Sequence, residues 1–145
     1  MNQLLIDAMH GYFEAGGKLD LERLNQLYAD DFQNVRMDRD GRTIVFTKPQ
    51  FMMRFRQMKA QGAGYEPSDD IQFLHTDTYD DHASLVLRRM KEGKPVLYNF
   101  VWRLRSGQPT AIIREFTVED DLSGLIAMVE RLSARQLGDS ASPDC

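Results

Sequence analysis

The reactive inventory of this chain is short: three histidines, one cysteine and scattered carboxylates. His10, His75 and His82 show neither an HxH nor an HxxxH spacing and have no cysteine pair beside them, so no metal is expected. Cys145 has no second thiol to bridge. Glycines at 16, 17, 62, 64, 93, 107 and 124 punctuate the chain without the spacing by which backbone amides cradle phosphate, which argues against a nucleotide and against any cofactor. Asp69-Asp70 and the acidic stretch 77–81 lack the ordered oxygen spacing of a calcium loop and read as solvated strand ends. What remains is proton chemistry. His75, in Ile71-Gln72-Phe73-Leu74-His75, shares a face with Ile71 and Phe73 by alternation, where an imidazole acts as a base or sits hydrogen-bonded in the core.

Positioning such groups requires regular elements. Leu4, Leu5, Ala8, Met9, Tyr12 and Phe13 recur at helical spacing, and Gly16-Gly17 marks the expected stop. Asp20 caps a second helix carrying Leu21, Leu24, Leu27 and Tyr28. A strand over 32–38, a turn at Asp40-Gly41 and a return over 43–46 follow. Thr47-Lys48-Pro49-Gln50 matches a capping box and starts a third helix, whose buried side carries Phe51, Met52, Phe55 and Met58. From residue 70 the period becomes two, with strands expected over 71–79, 82–90, 96–105 and 110–118 and joints short enough for antiparallel hairpins. Leu122, Leu125, Ile126, Val129 and Leu132 form a last helical stripe.

Helices gathered before a long meander indicate an α+β domain, a cone-shaped, curved antiparallel sheet wrapped around its N-terminal helices. One domain over 1–137, including a C-terminal helix over 122–137, fits the 145 residues, with a disordered tail over 138–145. Eighteen basic against 22 acidic residues give a net charge of −4, so no basic field attracts nucleic acid or anionic lipid. No run approaches a membrane span, and the first residues lack a cationic leader, so a cytoplasmic protein is expected.

The order of elements, with Leu27-Tyr28-Ala29-Asp30-Asp31-Phe32 joining helix two to the first strand, resembles the nuclear transport factor 2-like superfamily over about the first 120 residues. That superfamily contains ketosteroid isomerases, polyketide cyclases and dehydratases, and one scaffold hosts many chemistries. The resemblance places Tyr12 where the isomerases carry a pocket tyrosine, seventeen residues before the alanine of the Ala-Asp-Asp motif. It puts Arg36 where they carry the proton-abstracting aspartate. A guanidinium has donors only and cannot take the proton, so steroid isomerisation itself is not expected. Asp38 regains that facing only if the strand slides by two.

The same comparison sets Asn99 near the second oxyanion acid and turns Ile113, Glu115 and Thr117 inward on the last strand. Arg36 then either holds a ligand anion or forms a structural ion pair with Glu115, and a pair is expected because an isolated buried charge costs several kcal/mol. Tyr12, Arg36 and Glu115 are the candidate catalytic residues. Asn34, Asp38, Phe55, His75 and Asn99 are the candidate ligand-binding residues, with Asn34 and Asn99 alternatively satisfying backbone groups at the cone mouth.

An inward Asn99 turns Tyr98, Phe100, Trp102 and Leu104 outward, and so large an apolar face implies burial by a second copy, a sheet-to-sheet homodimer. The expected function is a pocket for a small, partly apolar molecule, with cofactor-independent proton transfer or elimination next to a carbonyl. The rival is a non-catalytic dimerisation or interaction module whose pocket is filled by Met52, Phe55 and Met58.

Overall fold

The structure, a computed structural model, describes residues 1–63 and 70–141, with side chains described as far as residue 134. Helix α1 (Gln3–Lys18) is capped by Asn2, whose side chain accepts from the Leu5 amide. Its Leu5 and Met9, one turn apart, are fully buried. The helix does not stop at Gly16-Gly17: Leu19 ends it instead, in the left-handed region at φ 49°, and its amide reaches back to the carbonyls of Ala15 and Gly16. A non-glycine residue there costs roughly 1–2 kcal/mol. Burial of the Leu19 side chain offsets it.

Asp20 caps α2 (Leu21–Leu27) as expected, accepting from the Arg23 amide. At the other end of α2, Lys48 donates to the carbonyls of Asn25 and Tyr28, both at 2.9 Å. The chain then runs through β1 (Tyr28–Asp38), β2 (Thr43–Thr47), α3 (Lys48–Ala60), β3 (Gln72–Tyr79), β4 (His82–Lys91), β5 (Lys94–Arg105), β6 (Gln108–Glu119) and α4 (Ser123–Ala141). Both hydrogen bonds of the expected Thr47–Gln50 capping box are present at the start of α3.

Six strands form one unclosed, curved sheet in the order β2-β1-β6-β5-β4-β3. The hairpin joints are as short as expected, with Glu92-Gly93 and Ser106-Gly107 both at positive φ. One pairing departs from an all-antiparallel sheet: β1 and β6 run parallel, because most of the chain lies between them as the crossover.

The facing of β5 also departs from expectation. Phe100 and Trp102 are 2% and 1% exposed and, with Leu104, belong to the core that α1 covers. The Trp102 indole donates to the Met9 sulfur at 3.3 Å. Asn99 lies on the opposite face, donating to the Leu85 carbonyl. The apolar alternate set of β5 buries because α1 needs a surface to cover, so Phe100 and Trp102 are not available to a second copy and the ground for a dimer through them falls.

Asp38, the last residue of β1, ties three segments together. Its carboxylate accepts from the amides of Asp40, Arg42 and Leu122, each at 3.0 Å, and from the Arg42 guanidinium at 2.8 Å. Arg42 continues to Ser123 and Asp121 at the start of α4. This junction sets the exit of α4, which runs to Ala141, past the expected end at 137, so that 138–141 are helical rather than tail. Residues 142–145, with Cys145, lie outside the described residues. No described helix is long and apolar enough to cross a membrane.

Trp102→Ala should cost about 3–5 kcal/mol of stability. Urea titrations at several protein concentrations will read a loss independent of concentration, as a core residue requires and a dimer contact does not. Around Asp38, burial pushes the carboxyl up, but the amides of Leu122 and Arg42 and the Arg42 guanidinium outweigh it, and its folded pKa lies below the ordinary value. The stability it contributes is therefore present above the unfolded pKa and lost as the pH falls through the folded one. Asp38→Asn should lower the melting temperature at pH 7 and flatten its acid dependence, measured by circular dichroism between pH 2 and 7.

Candidate functional site

The concave face is lined by alternate residues of the central strands. Across β1 and β6, Asn34 stands opposite Glu115 and Arg36 opposite Thr117; across β6 and β5, Glu115 stands opposite Phe100 and Thr117 opposite Tyr98. These pairs put Asn34, Arg36, Tyr98, Glu115 and Thr117 on one inner surface. Glu115 and Thr117 face inward as expected. Ile113 does not share their alternation cleanly: the register shifts between Val101 and Trp102, and Ile112, opposite Trp102, is the fully buried residue on the far side of that bulge.

Asn34, Glu115 and Thr117 are all buried, and three of their polar atoms have no hydrogen-bond partner: Asn34 Nδ2, Glu115 Oε2 and Thr117 Oγ1. Each such atom costs roughly 1–3 kcal/mol when left dry. All three lie on neighbouring positions of one inner surface, and the Asn34 amide is near enough to Glu115 to lower its pKa, so part of this cost is met between those two side chains.

The expected contact between Arg36 and Glu115 does not form. Among the described residues no ion pair joins them. The Arg36 Nε instead donates to Asn34 Oδ1 at 2.8 Å, and the guanidinium lies 5.5 Å from the centroid of the Phe46 ring. A stacked guanidinium gives up less hydration than one driven fully against a buried carboxylate, and here it keeps its charge near the surface.

Glu115 is thus a buried acid with only partial compensation. Burial drives its pKa up, from 4.5 to about 7, while the charges of Arg36, Arg89 and Lys91 and the nearby Asn34 amide restrain the rise. Tyr98, next to it on the inner surface, is pushed up chiefly by burial, with Arg89 acting against the rise.

Tyr12 packs against the core from α1. Its hydroxyl shares a hydrogen bond of 2.5 Å with the Tyr28 hydroxyl, and its ring packs edge-on to Tyr28 and Phe100. Phe55 is buried on α3, its ring stacked parallel to Tyr28, and with Arg36, Phe51 and Arg54 it lines a cleft of about 20 Å³. That is room for about one water.

Three expected ligand-binding residues lie elsewhere. Asp38 has four donors and is bound into the β1–β2 turn and the start of α4. His75 is exposed on the outer face, because a register shift between Phe73 and His75 pairs Phe73 with Leu87 but His75 with Val86. One slipped residue reverses the facing that alternation predicts. Asn99 is on the outer face with Val86 and Phe116.

Sequence reading missed two further cations, one beside Tyr98 and one at the cleft next to Arg36. Arg89 follows Ala83, Leu85 and Leu87 in strict alternation on β4, a signal that was there to be used, and its guanidinium sits 5.6 Å from the Tyr98 ring centroid. Arg54 is one residue from the buried Phe55 and carried no signal beyond that. Among the described residues no cluster of ligands suited to a metal occurs.

With this geometry in place, the comparison with solved structures fixes the fold. The chain is similar to an NTF-2 like protein of unknown function from Silicibacter pomeroyi, at a TM-score of 0.60 and 15% identity over 79% of this chain and 92% of that one. A second such protein of unknown function, from Shewanella baltica, gives 0.55 and 12% over 79% and 90%. A conserved protein from Planctomyces limnophilus gives 0.56 and 15% over 80% and 93%. No family model and no curated protein matches the sequence. The protein has the nuclear transport factor 2-like fold, and at these identities the likeness extends to the fold alone.

Glu115 has a sign opposite to that of Asp38. Its folded pKa is raised, so the folded state holds a proton the unfolded state has lost, and stability declines as the pH rises from 4.5 through about 7. A displacement of that size is worth roughly 3 kcal/mol. Glu115→Gln should therefore be more stable than the wild type at pH 8.5 and close to it at pH 4.5, as read from urea midpoints at both.

Proposed function

We propose that the inner surface of β1, β5 and β6 binds a small, partly apolar molecule and that Glu115 exchanges a proton with it next to a carbonyl, in a cofactor-independent isomerisation, cyclisation or elimination. The observation that carries this reading is the group of three unpartnered buried polar atoms on Asn34, Glu115 and Thr117. A carboxyl that titrates near neutrality serves a proton transfer in both directions, taking the proton as carboxylate and returning it as acid. As the carbon-bound proton passes to Glu115, the electron pair moves onto the carbonyl oxygen. The Arg36 guanidinium is the donor for that oxygen, with the hydrogen-bonded Tyr12 and Tyr28 hydroxyls on the same side of the sheet.

A second reading has its own support. The cleft beside Arg36 is only about 20 Å³, and Met52 and Phe55 are buried where a ligand would need space. A non-catalytic interaction module with its interior filled by its own side chains fits that packing.

Exchange of the α-protons of 2-tetralone in deuterated buffer, followed by NMR, separates the two. Under the catalytic reading the protein accelerates exchange, with a rate that climbs with pH and levels above about 7. Glu115→Gln should lower that rate by at least ~100-fold. Exchange at the buffer rate, with no shift in the resonances of Tyr98 or Thr117, sinks the reading in favour of the filled module.

A further inference from the structure

The outer face of the sheet carries an apolar surface of its own. Val45, Val35 and Phe116 stand opposite one another on β2, β1 and β6, and Met37, Val118 and Leu97 form the adjacent row on β1, β6 and β5. By alternation all six point away from the inner surface. None of them is buried, and Val45, Leu97 and Val118 are 47%, 42% and 43% exposed. A sheet face left in water is ordinarily the polar one. At this level β1 and β6 are inverted: their inner positions are Asn34, Arg36, Glu115 and Thr117, and their outer ones are Val35, Met37, Phe116 and Val118. A single exposed valine needs no explanation, but two contiguous apolar rows across four strands do.

Charge and size point to what covers them. The two rows contain no charged residue, and the charges of this face stand around them: Arg88 beside Leu97, Arg114 beside Gln33, and Asp77 on β3. A patch that is neutral at its centre and carries both signs at its rim is complementary to itself, as a two-fold contact between identical copies requires. Six strands about 4.8 Å apart, averaging roughly ten residues at ~3.3 Å each, give the whole face an area on the order of 900 Å². A standard interface takes about 800 Å² from each partner. The face alone therefore supplies the area a stable dimer needs.

We infer that a second copy of this chain covers the outer face, in a two-fold dimer with the Val45, Val35, Phe116 row and the Met37, Val118, Leu97 row at its centre. The interface expected from an inward Asn99 is thus exchanged for its opposite. Phe100 and Trp102 bury within the chain, and the other alternate set of β5 meets the partner together with β1, β2 and β6. The inner surface takes no part in this contact, so a ligand there and a partner here are compatible.

Light scattering on the full chain at micromolar concentration, after size exclusion, is expected to read twice the chain mass of 16.7 kDa. Val118→Glu and Leu97→Glu each put an unpaired charge into the contact and should raise the dissociation constant at least ~100-fold, giving the single-chain mass. Both positions are exposed in the single chain, so the variants keep the wild-type far-ultraviolet circular dichroism. Val45→Glu, on the edge strand, reads the same contact if either of them fails to fold. Met53→Glu on α3 and Leu132→Glu on α4, apolar positions as exposed as these but away from the two rows, should leave the dimer intact. A wild-type chain of single mass overturns the proposal, as does a dimer that survives the glutamates at 118, 97 and 45. A dimer lost only in Leu132→Glu would move the contact to α4 and overturn it equally.

Discussion

Everything inside this protein follows from the packing of the apolar face of β5 on α1. Once Phe100, Trp102 and Leu104 go beneath Met9 and Leu5, the sheet has only one possible inside. Register then carries that choice across the strands: Phe100 brings Glu115 inward beside it, Glu115 brings Asn34, and Tyr98 brings Thr117 and Arg36. Polar residues are trapped on the inner surface as a consequence of where an indole and a phenyl ring must go. The hydrophobic gain of burying two large aromatics, several kcal/mol, is of the same order as the cost of leaving a few polar atoms unsatisfied beside them.

The sequence showed element order and type well and facing less well. Caps at Asp20 and Thr47, the two-residue hairpin turns and the change of period near residue 70 are local signals, set within a few residues, and they hold. Facing is a long-range property. Asn99 was drawn inward by a comparison across loops of unequal length, when the more apolar alternate set of its own strand pointed the other way. His75 was drawn inward by counting in twos across a bulge that leaves no mark in Phe73-Leu74-His75. Arg36 and Glu115 face inward because the separation of Arg36 from the Ala29-Asp30-Asp31 motif and the alternation of Glu115 with Thr117 cross no gap.

The arginine at position 36 illustrates how a buried charge is tolerated. Pairing with Glu115 would take both ions out of water, a loss that Coulomb attraction repays only in ideal geometry. The chain adopts a cheaper arrangement in which the guanidinium leans on Phe46, makes one bond to Asn34 and stays half-exposed, and the carboxyl beneath relieves its own desolvation by holding a proton. The proton takes the place of the missing counter-ion. A carboxyl whose pKa burial raises from 4.5 to about 7 is a direct product of this division.

Asp38 and Glu115 make the same point on neighbouring strands. Both are buried carboxyls on adjacent parallel strands, and both begin with a desolvation penalty. Asp38 sits at a strand end, where backbone amides of a turn and of a helix start converge, and four donors settle it as a carboxylate. Glu115 sits mid-strand, where the amides on either side are committed to the ladder and only side chains can reach it. Position along the strand therefore decides which acid is fully bonded and which keeps a bare oxygen. A carboxylate with all its lone pairs occupied has no place left for a proton, and the one with a bare oxygen keeps one, which is why their pKa values move in opposite directions.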